Sequence, residues 1–242
     1  MVGCGLNPST LKLLFIKLAL ERSMNFHIAR VNMVEQQVRP WHVLNDEVLQ
    51  AMSIIPREQF VPEQYVNLAY SDTEIPIGQG QTMLSPKIVG RALQSLKLRP
   101  HDKVLEIGTG TGYVTACLSK LVHSVISIEL DASLLKQAEK QLSQLHCRNI
   151  TLEQGDGVLG WESYAPYDAI IITGSYPLGI PKTVCEQVKP NTGRVFGFSG
   201  LAPAMEALLI DRTSKTDYHT HSLFETVVPA LVNAPKPTAF HF

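Results

Sequence analysis

From residue 103 onward the chain alternates between two hydrophobic periods. Short apolar runs at 103–107, 124–129 and 149–154 have the length of strands. The segments between them, 112–122 and 131–145, carry apolar positions at helical spacing, and Asp131 is placed to cap the second. A near-continuous apolar run at 167–173 is what a central strand buried on both faces requires. A helix near 178–188 and a strand at 193–199 follow. Two last strands, 204–212 and 218–228, are joined by the polar turn 213–217, a hairpin signal. This order predicts an α/β fold: a doubly wound, mostly parallel, Rossmann-like sheet whose terminal hairpin adds an antiparallel strand at or near one edge.

The first hundred residues read differently. Helices are expected at 25–38 and 45–54, with Asn45 as N-cap and Asp46 and Glu47 in the first turn, where the helix dipole favours them. Residues 71–86, with Pro76, Gly78, Gly80 and Pro86, read as loop. Residues 86–98 return to a helix with apolar positions 88, 89, 92, 93 and 96. The tail, 229–242, has three prolines and reads as irregular chain. Residues 1–24 are expected as an N-terminal extension, with Met24 an alternative start. Residues 25–242 then form one domain, 25–100 as a helical elaboration and 101–242 as the ligand-binding core. Apolar positions 11, 14, 15 and 18 suggest an amphipathic helix. Lys12 and Lys17 interrupt that stretch, which is too short for a membrane span and poor as a secretory signal.

The densest chemistry lies at the first strand-to-helix turn of this alternation, Lys-Val-Leu-Glu-Ile-Gly-Thr-Gly-Thr-Gly over 103–112. Glycines at 108, 110 and 112 let the backbone turn sharply and approach a ligand with no Cβ in the way. Taken alone, they are also compatible with a plain tight turn. Dinucleotide enzymes favour G-x-G-x-x-G, but here the spacing is G-x-G-x-G and Tyr113 follows. No lysine follows the glycines, as a phosphate-gripping loop would require. Glu106, expected beside the ligand, would repel a phosphate and suit a cation. Glu129, ending the next strand, is placed for ribose hydroxyls. Gly155-Asp156-Gly157 ends the third strand, where Asp156 is placed for an adenine amino group; an ordinary Asp-Gly turn is the alternative. These features favour S-adenosyl-L-methionine, a sulfonium nucleoside without phosphate, over NAD. The expected cofactor contacts are Glu106, Gly108, Thr109, Gly110, Gly112, Glu129, Asp156 and Gly157.

Composition narrows the partners. The 242 residues are 45% hydrophobic and 18% charged, which supports a large core and argues against disorder. A net charge of −1 makes no electrostatic case for nucleic acid or for an acidic membrane. Cys4, Cys117, Cys147 and Cys185 are scattered, which fits neither a zinc site nor a disulfide framework and suits a reducing, cytoplasmic setting. His219 and His221 read as surface residues rather than metal ligands, and no metal is expected.

Several further motifs, in order, carry a family resemblance. They are Met33-Val34-Glu35-Gln36-Gln37, Pro56-Arg57-Glu58-Gln59-Phe60-Val61-Pro62, Ala69-Tyr70, and Ile75-Pro76-Ile77-Gly78-Gln79-Gly80-Gln81-Thr82. With Val104–Tyr113, Gly155-Asp156-Gly157, Gly160-Trp161 and Ala165–Ile170, they resemble the protein-L-isoaspartate O-methyltransferase family over about residues 30–200. The resemblance implies an adenosylmethionine-dependent methyltransferase fold with added N-terminal helices. It also implies methylation of the α-carboxyl of isoaspartyl residues in damaged proteins, which starts their repair. One position departs. After Gly-x-Thr the family usually continues Ile-Ser-x-Pro, and that serine lies in its active site. Here Thr82-Met83-Leu84-Ser85-Pro86 puts Leu84 at the serine position. Ser85, one residue on, is the catalytic candidate; its other reading is the N-cap of the helix starting at Pro86. The departure leaves open a methyltransferase acting on another carboxylate or a small-molecule oxygen, or a non-catalytic adenosylmethionine-binding protein.

Overall fold

The computed structural model describes Lys12 and residues 25–238. Apart from Lys12, the expected extension, the amphipathic segment at 11–20 and the start at Met24 lie outside these residues, as do Cys4 and the last four residues of the tail.

Helix α1 (25–33) widens into a π-turn at Val34–Val38 and then tightens into a 3-10 turn at Arg39–Trp41, which His42 ends in the left-handed region. Asn45 Oδ1 accepts from Val48 N at 2.9 Å and so caps α2 (Asp46–Ile54), as expected. Two 3-10 turns, Arg57–Gln59 and Glu63–Leu68, lead to a short hairpin of β1 (Ile75–Gly78) and β2 (Gln81–Met83). This hairpin corrects the loop expected at 71–86. Pro76 is tolerated because the ribbon has only two strands, and Gly78 and Gly80 build the turn between them. Helix α3 (Pro86–Ser95) then buries Ile88, Val89, Ala92 and Leu93, with Leu96 just past its end.

The core consists of β3 (Lys103–Ile107), α4 (Tyr113–Leu121), β4 (Ser124–Glu129), α5 (Ala132–Gln144) and β5 (Ile150–Gln154), then β6 (Ala169–Tyr176), α6 (Lys182–Cys185) and β7 (Arg194–Leu201). Strands β8 (Ala204–Arg212) and β9 (Tyr218–Glu225) complete a seven-stranded sheet in the order β5-β4-β3-β6-β7-β8-β9. The first five are parallel; β8 and β9 are antiparallel, with β9 at the edge. Helix α6 is far shorter than the helix expected at 178–188. Its chain leaves the helical path so that Val188 can bridge Tyr167, with Lys189 N donating to Tyr167 O at 2.8 Å.

Side-chain alternation divides the core between the two faces of the sheet. Val104, Val125, Ile171 and Phe196 pack beneath α1 to α4, whereas Leu105, Ile107, Ile126, Ile128 and Ile170 pack with Val184 and Val188 on the other side. From β3 the chain builds outward to β5 and then crosses to β6 on β3's other flank. The C-terminal ends of β3, β4 and β6 therefore meet at a topological switch point, where open α/β sheets hold their ligands.

Candidate active site

The glycine loop lies at this switch point. Gly108 N and Thr109 N donate to Ile128 O at 2.9 and 3.1 Å, which ties the loop to β4. A Cβ on Gly108 would collide with Thr173 Oγ1, which donates to Gly108 O at 2.6 Å and so clips the loop to β6. Gly110, at φ 55°, opens onto the cleft; an added Cβ would meet only Ile77 Cδ1, at 3.4 Å. Gly112 lies behind the loop, where an added Cβ would be 3.1 Å from Ala138 Cβ on α5.

An open cleft runs over the loop, lined by Gly108, Gly110, Glu129, Asp156 and Gly157 among others. Glu129 Oε2 accepts from Gly110 N at 2.7 Å and Oε1 from Asp131 N at 3.0 Å. Each oxygen keeps a lone pair for a ligand. Asp156 Oδ1 accepts from Val158 N at 3.0 Å, and Oδ2 accepts from Asn233 Nδ2 at 2.8 Å. Asn233 belongs to the tail, which runs back over β6: Ser175 N donates to Pro229 O and Leu231 N to Ser175 O, both at 3.0 Å. Leu231, Val232 and Asn233 thereby roof the cleft. No local pattern marks that roof, because its register is set by contacts with a strand more than fifty residues away.

Three expected site residues lie elsewhere: Gly112 behind the loop, and Glu106 and Ser85. Glu106 does not line the cleft. It shares a strand face with Val104, opposite Leu105 and Ile107, and is fully buried under the loop. Its Oε2 accepts from Thr115 Oγ1 at 2.5 Å and Ser127 Oγ at 2.6 Å, and Ser127 in turn bonds Thr109 Oγ1 at 2.6 Å. Burial pushes its carboxyl up to about 8, against the pull of the Ser127 and Thr115 hydroxyls. Glu106 therefore braces the loop from below. Ser85 is buried at the N-cap position of α3, but its hydroxyl makes no cap bond and it lines neither the cleft nor the lobe beside it. Leu84 faces that lobe instead, together with Thr109, Thr111, Tyr113 and Arg57. The Pro-Arg-Glu-Gln-Phe motif flagged Arg57, though no sequence signal marked its burial.

Among the described residues, no group of three or more His, Cys, Asp or Glu is arranged to hold a metal ion. His219 and His221 are exposed on β9, as expected, with His221 Nε2 3.1 Å from Asp211 Oδ2. No helix among the described residues is long and apolar enough to cross a membrane.

The switch-point cleft, glycine loop and strand-end acids define an α/β nucleoside-binding protein of methyltransferase type. Residues 29–218 match the family model described as protein-L-isoaspartate(D-aspartate) O-methyltransferase. A protein-L-isoaspartate O-methyltransferase of Klebsiella pneumoniae is 44% identical over 159 residues, 66% of this chain and 76% of that one. Protein-L-isoaspartate O-methyltransferase 1 of Geotalea uraniireducens is 38% identical over 228 residues, 93% of this chain and 99% of that one. A Plasmodium falciparum structure, titled a putative enzyme of this kind in complex with S-adenosyl-L-homocysteine, superimposes with a TM-score of 0.71 at 19% identity. It covers 84% of this chain and 97% of its own, and shows the shared fold. The chain belongs to the protein-L-isoaspartate O-methyltransferase family.

Proposed function

We infer that this chain transfers a methyl group from S-adenosyl-L-methionine to the α-carboxylate of L-isoaspartyl residues in proteins. The next backbone amide nitrogen, losing its proton, displaces methanol from the ester formed and closes a succinimide, whose hydrolysis returns part of the damaged residue to aspartate. The observation that carries this reading is the meeting of two cavities at the glycine loop. The cleft at the strand ends and a smaller lobe share Gly108, Gly110 and Thr173. A donor in one and an acceptor in the other would meet over the loop.

The residues present fit the cofactor. Gly110 leaves open the space that a Cβ would fill, and Glu129 and Asp156 offer carboxylate oxygens for ribose hydroxyls and an adenine amino group. When bound, S-adenosylmethionine supplies a methyl group on a positively charged sulfur that departs as neutral S-adenosylhomocysteine. The acceptor carboxylate is already ionised at neutral pH and needs no general base. The protein has to align it in the lobe, keep water out and leave the methyl group exposed to it. Leu84, Met83, Val89 and Val114 supply a dry wall for this. Thr173 and Glu129 hold the loop that both ligands would touch.

On this reading the partners are proteins bearing isoaspartate. Free thiols at Cys117, Cys147 and Cys185 support action in the cytoplasm. Leu84 on the lobe wall favours a second reading, transfer to a different carboxylate. A methyl-transfer assay with an isoaspartyl peptide and its aspartyl counterpart decides. Transfer to the isoaspartyl peptide alone is expected; cofactor binding with no transfer to either peptide would overturn the first reading.

A further inference from the structure

The roof of the cleft ends in a turn that reaches back to the end of β5. Ala234 N donates to Leu231 O at 3.0 Å, so Val232 and Asn233 are the central residues of a tight turn. Both sides of that turn are anchored. Leu231 lies over β6, where a Cβ on Gly174 would come within 2.7 Å of its Cδ2, and Ser175 Oγ donates to Val228 O at 2.9 Å. Ala234 is buried on the far side. From β2, Gln81 Nε2 donates to Ala230 O at 3.3 Å. Asn233 itself is exposed on the cleft wall, with Nδ2 2.8 Å from Asp156 Oδ2. A carboxylate only accepts, so the amide has to face it with its nitrogen, and that nitrogen carries a second hydrogen. Asn233 also lies beyond residues 29–218, the span matched to the family.

An acceptor and a donor thus stand side by side on the cleft wall. Asp156 Oδ1 is held by Val158 N, and Oδ2 can accept once more beside Asn233. Adenine presents the complementary pair, an amino group that donates next to a ring nitrogen that accepts. Guanine and hypoxanthine carry an oxygen in place of that amino group, and the oxygen would face the carboxylate. Leu130, Val158 and Val232 line the cleft as well and offer a base apolar surface. Resting on the methyltransferase reading and deepening it, we propose that Asn233 and Asp156 read the adenine of the cofactor as one unit. Asp156 Oδ2 accepts from the amino group, and Asn233 Nδ2 donates its second hydrogen to the ring nitrogen beside it. The tail is then a part of the cofactor site, and its anchors on β6 hold the donor in register with the acceptor on the β5 side.

Calorimetry of the full chain tests this with 5′-methylthioadenosine and its 1-deaza and 7-deaza analogues, in each of which C–H replaces one ring nitrogen. The variants are Asn233→Ala and Asn233→Asp, which keeps the size and removes both donors. Asn233 is exposed, so neither change disturbs the core. For 5′-methylthioadenosine, Asn233→Ala is expected to weaken binding between about threefold and about tenfold, and Asn233→Asp further, because two carboxylates then face each other. Against the analogue that lacks the contacted nitrogen the Asn233→Ala loss disappears, and against the other it persists. Equal losses for all three ligands would mean that Asn233 only pins the roof. No loss for any would mean that its amide meets no base, and either result overturns the contact. If wild type shows the expected pattern yet methylates no isoaspartyl peptide, the acceptor assignment falls and the adenine contact stands. If wild type binds none of the three, both fall.

Discussion

Glu106→Gln is expected to flatten the dependence of stability on pH and to leave cofactor affinity unchanged. The carboxyl is fully buried and titrates near 8 in the folded protein, against 4.5 for an ordinary glutamate. Between those values the folded protein holds a proton that the unfolded chain has released. Stability from this group is therefore fully present below about pH 4.5 and is lost progressively as pH rises toward about 8. At about 1.4 kcal/mol per unit, that interval is worth on the order of 5 kcal/mol as a ceiling. Glutamine cannot ionise. Its oxygen can still accept from Thr115 and Ser127, and its amide nitrogen would take the place of Oε1, which has no partner. Urea unfolding at about pH 5, 6.5 and 8 should show a falling midpoint in wild type and, in the variant, the same curve without that component. Parallel curves would refute the burial argument. Calorimetry with S-adenosylhomocysteine should give the same affinity for both proteins within about twofold. A loss of tenfold, about 1.4 kcal/mol, would mean that Glu106 reaches the ligand after all.

Gly110→Val should abolish cofactor binding. Its φ of 55° costs a branched residue at least about 1–2 kcal/mol, and its side chain would enter the cleft, so undiminished affinity by calorimetry would defeat the site assignment. Leu84→Ser should raise the rate of isoaspartyl transfer by placing a hydroxyl on the lobe wall; an unchanged kcat/KM would show that the leucine does not limit that activity.

Strands whose neighbours are dictated by local pattern were fully legible. The runs at 103–107 and 124–129 form β3 and β4 at those limits because strands covered on both faces are apolar almost throughout, and 204–212 forms β8, whose buried and exposed residues alternate over its first half. The hairpin β1–β2 was hidden by the proline and glycines that shape it. Helix α6 was overread because the segment's helical pattern loses to the bridge between Val188 and Tyr167. Asn233, on Asp156, and Arg57, on Leu84, work through partners 77 and 27 residues away. Neither contact leaves a local trace.

The two acids at the strand ends differ in where their positions on the strands aim them. Glu129 is the last residue of β4, and its carboxylate turns into the crevice to hold Gly110. Glu106 is the penultimate residue of β3, with Ile107 after it. Neighbouring residues on a strand point to opposite faces. Once Ile107 lines the cleft, as it does, Glu106 has to face α4. Ahead of α3, Leu84 lines the lobe whereas Ser85, at the N-cap position, does not. At both places the residue type suggested chemistry; at 106 the parity of the strand position decided against it, and at 85 the start of α3 did. The acid at 106 then carries a different load: with Thr115, Ser127 and Thr109 it forms the buried polar floor on which the glycine loop rests.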